Sequence, residues 1–275
     1  MLEQLKYQNH INEVFEFGKA GIYVDTNDLH DYEWAVTKKN NRISALDYSV
    51  SKRKLPIVII CETEAEGIKA RNRLMEITEK DVLAMKHGRI IIGDYYFRCF
   101  VTKSQKKDYL KSKRHMAATL TLTTDFPFWV KETTTSFRAG GTDTSGGKNL
   151  DFAHDYPFDF AGDVESSELN NTGFADANFR MIIYGACHNP EVYINGHRYK
   201  VFEDAAEGEY ITIDSVAKTV TRTDKNGGIT NLFNARDRDS YIFEKIPPGI
   251  SSVSWSGDFG VDIITLEERS EPKWI

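Results

Sequence analysis

Six basic side chains lie between positions 103 and 114, with Asp108 as the only acidic residue among them. They are Lys103, Lys106, Lys107, Lys111, Lys113 and Arg114. Such a cluster attracts acidic protein surfaces or nucleic-acid phosphates, because opposite charges act over about 10 Å at ordinary salt. Three interpretations are open: a solvated hairpin loop, a contact with an acidic partner, or a contact with DNA.

Motifs that would indicate catalysis are missing from the sequence. It has no Gly-x-Ser-x-Gly elbow, Cys-x-x-Cys pair, His-Glu-x-x-His motif, phosphate-binding glycine loop or EF-hand spacing. The segment Asp258-Phe259-Gly260 matches three letters of the kinase signature, but no His-Arg-Asp loop accompanies it. Two histidines, His188 and His197, flank a predicted hairpin without a nearby third metal ligand. The sequence therefore predicts no enzyme activity, no cofactor and no metal.

We expect the basic run to connect two strands. The pair Gly93-Asp94 joins residues 89–92 to residues 95–102 and matches a type II′ turn, in which glycine tolerates the first position. Further along, the alternation in 118–123 places Leu120 and Leu122 on one face and threonines on the other. This pattern predicts a half-buried strand that completes a core.

One helix is predicted in the first half of the chain. It begins at Thr63, and Glu66 three residues later completes a capping box. Apolar residues with helical spacing continue it to about residue 78. The other signals up to residue 135 are short strands and turns. We therefore expect an N-terminal β-domain over 1–135 with a single flanking helix near 63–78.

Residues 136–160 are predicted to be a linker or arm segment. Their first part is rich in Gly, Ser and Thr and has little to bury, so ordering it costs more entropy than it gains. The second part carries several aromatic side chains: Phe152, Tyr156, Phe158 and Phe160. We expect these rings to contact a domain or a neighbouring subunit.

The second half of the chain reads as all β. The pair Asn195-Gly196 predicts a type I′ hairpin, because both residues tolerate positive φ. Further short strands are predicted at 210–214, 219–223, 240–245, 253–255 and 261–266. Evenly spaced strands with no helix between them indicate a sandwich, here assigned to 161–275. Within it, Val253 and Trp255 alternate with serines, which predicts that Trp255 belongs to the core.

Composition is consistent with two globular domains. The chain has 275 residues, of which 40% are hydrophobic and 12% aromatic. Its net charge of −6 is uneven: residues 1–135 carry 22 basic and 18 acidic side chains, and residues 136–275 carry 13 and 23. Three separated cysteines in apolar contexts are typical of reduced protein. The first residues lack a basic segment followed by an apolar one, so we expect no signal peptide.

Five phrases, in order, resemble the distal tail protein of long-tailed, non-contractile phages (the siphovirus tail protein family). They lie at 125–132 (DFPFWVKE), 189–196 (NPEVYING), 208–214 (GEYITID), 246–249 (IPPG) and 268–274 (ERSEPKW). They span most of the chain. The resemblance implies a mainly β fold: an N-terminal β-sandwich or split barrel with one flanking helix, then a C-terminal galectin-like β-sandwich.

The same resemblance implies a structural virion protein without cofactors. In that family, six copies form a hub that joins the tail tube to the tail-tip and host-adhesion apparatus. The implied partners are the major tail tube protein, the tape-measure protein, the tail-tip (tail-associated) protein and a receptor-binding protein. The resemblance implies contact with neither a membrane nor a specific nucleic acid. Strong attraction to DNA would impede ejection of the DNA through the tail. The implied location is the distal end of the tail, after assembly in the host cytoplasm.

Two alternatives belong to other functional classes. One is a tail-associated carbohydrate-binding module, because a galectin-like sandwich can hold a sugar on a Trp face with a fork of polar side chains. Here the candidates are Trp255 with His188, Asn189 and Arg198, although their order departs from the galectin pattern. The other is a cell-wall-degrading enzyme, for which the sequence supplies no motif.

Overall fold

The computed structural model describes residues 4–19, 21–107, 112, 114–140 and 168–274. The chain forms two compact units. The first contains Met1–Lys131 together with Glu268–Ile275, and the second contains Glu132–Glu267. The predicted domain bounds remain a prediction, because residues 141–160 of the proposed linker lie outside the described residues.

The first unit is a β-domain with one α-helix, α1 (Glu64–Ala84). Its strands are β1 (Leu5–Gln8), β2 (Val14–Glu16), β3 (Ile22–Val24), β4 (Ala35–Lys39), β5 (Arg42–Asp47), β6 (Ser51–Ile60), β7 (Gly88–Ile92), β8 (Tyr95–Lys107), β9 (His115–Thr124) and the start of β10 (Trp129–Phe137). Two sheets share the long strand β8, one in the order β10-β8-β7-β1-β2 and the other in the order β3-β6-β9-β8. The predicted turn is present, with Gly93 at φ +55° between the paired residues Ile92 and Tyr95.

The core of the first unit is apolar and aromatic. Trp129, from the phrase DFPFWVKE, is fully buried beside Phe97, with 5.4 Å between their ring centroids. Its indole N–H donates to the carbonyl of Leu29 at 3.2 Å, so the polar end of this side chain is satisfied. Truncating a buried Trp costs about 3 to 5 kcal/mol. Trp129 is therefore a structural anchor of this unit.

Helix α1 starts as predicted but is longer than predicted. The capping box is formed: the Thr63 hydroxyl accepts the N–H of Glu66 at 3.2 Å, and the Glu66 carboxylate accepts the N–H of Thr63 at 3.1 Å. The helix continues past the predicted end near residue 78. Its buried face is continued there by Thr78 and Asp81, polar residues that an apolar periodicity does not register.

The second unit is a two-sheet sandwich around its own core. Its strands are β11 (Glu168–Asn171), β12 (Asn178–Tyr184), β13 (Glu191–Ile194), β14 (His197–Lys200), β15 (Tyr210–Asp214), β16 (Thr219–Thr223), β17 (Ile229–Asn231), β18 (Gly249–Trp255) and β19 (Val261–Arg269). One sheet has the order β17-β16-β15-β12-β19 and the other β11-β18-β13-β14. The predicted type I′ hairpin is formed, with Asn195 at φ +51° and Gly196 at φ +78°.

The predicted strand at 240–245 is wrong. This segment follows a short 3-10 helix (Phe233–Ala235) and has no regular structure. The N–H of Glu244 donates to the carbonyl of Tyr241 at 3.0 Å and closes a turn. The consecutive residues Ile242 and Phe243 are both buried, whereas a half-buried strand would expose one of them.

The predicted fold class is confirmed: the described chain is mainly β, with one α-helix in its first unit and a β-sandwich as its second. In the described part of the chain, no helix has the length and apolar character needed to span a membrane.

Candidate functional site

The basic run begins within a strand. Strand β8 extends through Lys107, so Lys103, Lys106 and Lys107 are strand residues, which corrects the predicted loop. The extension is possible because β8 pairs with β9 as far as Lys107, after a bulge at Thr102. A bulge re-aims the side chains that follow it. Lys111 and Lys113 lie outside the described residues.

The register of β8 divides the three lysines between two faces. Residues paired directly across antiparallel strands point to the same face. Lys103 pairs with Thr121 on the solvent face, whereas Lys106 pairs with the buried Ala118 and points the other way. Lys107 shares the face of Lys103, because side chains four residues apart on a strand point in one direction.

Strand β6 brings two more lysines to the solvent face of this sheet. Lys54 pairs with Thr121, the residue that also pairs with Lys103, and Lys52 pairs with the neighbouring Thr123. We call the four exposed side chains the lysine face: Lys52, Lys54, Lys103 and Lys107. None of the four forms an ion pair with a carboxylate among the residues that the structure describes. Strands β6, β8 and β9 place threonines between these lysines and no acidic side chain.

Sequence reasoning missed Lys52 and Lys54, because they lie about fifty positions before Lys103. The available signal was the alternation in Lys52-Arg53-Lys54-Leu55, in which every second residue faces solvent. A strand pairing of this kind is non-local, so the sequence cannot show that the two lysine pairs share one sheet.

The opposite face of β6 carries a buried cation that fixes the strand to the core. The Arg53 guanidinium lies 4.3 Å from the centroid of the Phe97 ring and donates to the carbonyl of Leu29. Burial lowers the pKa of Arg53 to about 10. Because Leu29 also accepts the indole N–H of Trp129, this one carbonyl joins β6, β10 and the loop before β4. The lysine face thus rests on a well-anchored strand.

Of the remaining predicted site residues, Arg114 is the one that the structure describes. Arg114 is exposed just before β9, and its Nε donates to the carbonyl of Cys61 at 3.4 Å. The aromatic candidates Phe152, Tyr156, Phe158 and Phe160 lie outside the described residues, so their proposed contacts stay a prediction.

A buried polar cluster in the first unit is held together by hydrogen bonds. The Asp81 carboxylate, fully buried near the end of α1, accepts the hydroxyl of Tyr7 at 2.5 Å and the backbone N–H of His10 at 2.8 Å. Burial raises the pKa of Tyr7, and it raises that of the nearby Cys99 thiol to about 12. A buried thiol with a raised pKa is a poor nucleophile. Among the described residues, no group of three His, Cys, Asp or Glu side chains is placed to hold a metal ion.

Solved structures from phage tails share this fold. The Dit protein of phage SPP1, described as a paradigm of the hub adsorption apparatus in phages that infect Gram-positive bacteria, is 11% identical, with a TM-score of 0.60 over 98% of this chain and 100% of that one. Chains of the phage P2 baseplate, solved in its activated conformation with Ca and with Sr, are 12% identical, with TM-scores of 0.64 and 0.63 over 99% of this chain and 100% of theirs. This chain has the fold of phage tail hub proteins. No protein-family model and no curated protein matches its sequence.

The second unit of this hub fold does not assemble the galectin-type sugar fork. In the sheet β11-β18-β13-β14, Val192 pairs with Trp255 and faces the core, whereas its neighbour Tyr193 pairs with Arg198 on the other face. Trp255 packs against the core and donates its indole N–H to the carbonyl of Phe259 at 2.9 Å. Trp255 and Arg198 therefore point to opposite faces of the sheet and cannot hold one sugar ring together.

The two other fork candidates are also engaged elsewhere. The exposed His188 ring lies 2.6 Å from the carboxylate of Asp204. Asn189 contacts His188 through its side-chain amide at 2.9 Å, in the turn before β13. These contacts are those of a surface turn.

Proposed function

We propose that this chain is a structural hub protein at the distal end of a phage tail. The observation that carries the proposal is the fold similarity to tail-hub and baseplate chains, which extends over 98% of this chain or more. At 11 to 12% identity the similarity concerns the fold alone, so the role needs support from the surfaces of the molecule.

In the first unit, the hairpin of β4 and β5 is exposed to solvent in a single chain. Strands β4 and β5 pair only with each other in the described structure, and almost all of their residues are exposed. The exposed side chains include Val36 at 49%, Ile43 at 64% and Leu46 at 52%. An isolated two-stranded hairpin is marginally stable in water, and exposed apolar side chains mark interaction sites. We infer that a neighbouring copy of the chain covers this hairpin.

The lysine face supplies a second contact of different chemistry. Four cations on one sheet face, with threonines between them, suit an acidic protein surface on an adjacent tail component. The chain as a whole is acidic, with a net charge of −6, which argues against a dedicated nucleic-acid binder.

The finer assignment is a ring of six copies that joins the tail tube to the tail-tip apparatus. The number six and the partners, namely the tail tube, tape-measure, tail-tip and receptor-binding proteins, come from the family resemblance. We propose no enzymatic role for the protein, a location in the virion, and assembly in the host cytoplasm.

The test is the position and copy number of this chain in an assembled tail, measured by cryo-electron microscopy of tails from the producing strain. We expect six copies around the axis, at the junction between tube and tip. A different symmetry at that junction would overturn the six-fold ring, and finding the chain only on side fibres would overturn the hub assignment itself.

A further inference from the structure

A groove of about 440 Å³ opens in the second unit, beside the 3-10 helix. Its walls come from that helix, from the irregular segment 240–245 that was predicted as a strand, and from the turn between β15 and β16. Six side chains matter for its chemistry: Lys218, Phe233, Arg236, Arg238, Tyr241 and Phe243. The volume lies within the range of about 300 to 1,000 Å³ that is usual for small-ligand sites.

Three aromatic rings form the floor and sides of the groove. The ring of Phe243, only 3% exposed, lies at the base, and Tyr241 meets it edge-on at 5.9 Å between centroids. Phe233 stacks roughly parallel to Phe243 at 6.3 Å. Tyr241 at 55% and Phe233 at 37% are open to solvent. Exposed ring faces carry negative electrostatic potential and attract polarised C–H groups such as those of a sugar ring.

Cations stand over the same rings. The Lys218 ammonium lies 5.4 Å from the centroid of Tyr241 and 5.3 Å from that of Phe243. The Arg236 guanidinium lies 3.8 Å from the centroid of Phe233. Within the described ranges, Lys218, Arg236 and Arg238 form no ion pair with a carboxylate. Their charges are thus available to a ligand.

The acidic side chain that lines the groove, Asp237, is already paired with a cation. Asp237 is 3% exposed, and its carboxylate lies 2.5 Å from the guanidinium of Arg198, on the strand β14. The groove therefore presents net positive charge, although residues 136–275 carry 13 basic and 23 acidic side chains. Such a local excess of cations within an acidic unit favours a ligand that carries negative charge.

Hydrogen bonds to β14 fix the segment that lines the groove. The N–H of Asp237 donates to the carbonyl of Lys200 at 3.0 Å, and the Ser240 hydroxyl donates to that of Arg198 at 2.6 Å. The His197 ring lies 2.9 Å from the carbonyl of Tyr241. A site that is formed in advance loses less entropy on binding.

We propose that this groove binds an anionic saccharide. A sugar ring would lie against the exposed ring of Tyr241, and carboxylate or phosphate groups would meet Lys218 and the two arginines, whose planar fork suits such groups. The shared chemistry is a pyranose or polyol chain with regular negative charges, whether from uronic acids or from phosphodiesters. This inference concerns the second unit and does not depend on the ring proposed for the first.

The experiment is a calorimetric titration of the full chain with four probes of matched length or charge. They are an oligogalacturonate, a glycerol-phosphate oligomer, a neutral maltooligosaccharide and inorganic phosphate. We expect saturable binding of at least one anionic oligomer, about tenfold tighter than either the neutral oligomer or inorganic phosphate, and weakened by added NaCl. The anionic oligomer that binds identifies the source of the charge.

Two variants locate the binding. Lys218→Gln and Tyr241→Ala change exposed side chains, so the fold should persist, and each should weaken binding by about tenfold. Lys225→Gln removes the same charge from an exposed turn of the same unit and should leave binding unchanged. No saturable binding of either anionic oligomer would overturn the proposal, as would binding that Lys218→Gln and Lys225→Gln affect equally. If inorganic phosphate bound as tightly as the oligomers, the assignment to a saccharide would be overturned.

Discussion

At the residue scale, Gly88 shows how closely the polar cluster of the first unit is packed. A Cβ at this position would lie 2.2 Å from the Asp81 carboxylate and 2.3 Å from the Tyr7 hydroxyl. Real Cβ contacts are essentially never that short, so any side chain at position 88 must separate the two hydrogen-bonded groups. The backbone of Gly88 is outside the left-handed region, and its requirement for glycine is therefore one of space.

We predict that Gly88→Ala lowers the free energy of unfolding by about 2 to 3 kcal/mol, because it disrupts a buried hydrogen bond and overpacks the site. Urea denaturation measures the change. Gly260→Ala is the matched control: its Cβ would meet its nearest neighbours at 3.6 and 3.7 Å, an ordinary distance. Equal stability of the two variants would contradict the packing that we describe.

Asp237 gives a prediction about pH. The N–H of Asp239 donates to its carboxylate at 3.0 Å, and together with Arg198 this lowers the pKa of Asp237 below its usual value. A carboxyl group whose pKa is lowered by folding stabilises the protein above its unfolded pKa of about 3.9, and this stabilisation is lost as the pH falls further.

We therefore expect Asp237→Asn to lower Tm by several degrees at pH 7 and to approach the wild type below about pH 4. Thermal unfolding from pH 7 to pH 3 measures the difference. Asp239→Asn, at an exposed position two residues away, should change Tm little throughout. A Tm deficit of Asp237→Asn that is independent of pH would mean that the ionised carboxylate is not what stabilises the segment.

At the element scale, local signals were predicted well and non-local ones were not. The capping box at Thr63 and the hairpin Asn195-Gly196 involve neighbours in sequence, and both are formed. The end of α1 was missed because Thr78, whose hydroxyl donates to the carbonyl of Leu74 at 3.0 Å, is buried although polar. Two of the four lysines of the lysine face were predicted from the sequence. The other two were missed, because only the pairing of β6 with β9 brings Lys54 beside Lys103.

The two faces of β8 allow a matched charge test. We predict that Lys103→Glu lowers incorporation of the chain into tails by about tenfold or more, since a like charge against an acidic partner costs several kcal/mol. Lys106→Glu makes the same change on the same strand but on the opposite face, and should incorporate close to normally. Complementation of a deletion strain, followed by immunoblotting of purified tails, measures incorporation. If Lys106→Glu were the more damaging variant, the lysine face would not be the contact.

At the scale of the whole molecule, the exposed edges and the exposed hairpin favour assembly of copies. In the first unit, β2 and β3 each end a sheet in the described structure, and the hairpin β4–β5 stands apart from both sheets. Exposed strand edges invite pairing with other chains, and a closed head-to-tail ring lets each copy cover its neighbour. Such an interface uses two different surfaces of one chain, so a change in one surface should block closure.

We predict that Ile43→Asp prevents ring formation while leaving the monomer folded, because Ile43 is 64% exposed in a single chain and would be buried against a neighbour. Ile229→Asp is the matched control: Ile229 is 73% exposed, also in a short antiparallel strand, but in the second unit. Circular dichroism should give both variants the Tm of the wild type, and electron microscopy of complemented tails should find a tip ring only with Ile229→Asp. Normal rings built from the Ile43→Asp chain would show that the hairpin β4–β5 lies outside the contact between copies, and the search for that contact would then move to the edges of β2 and β3.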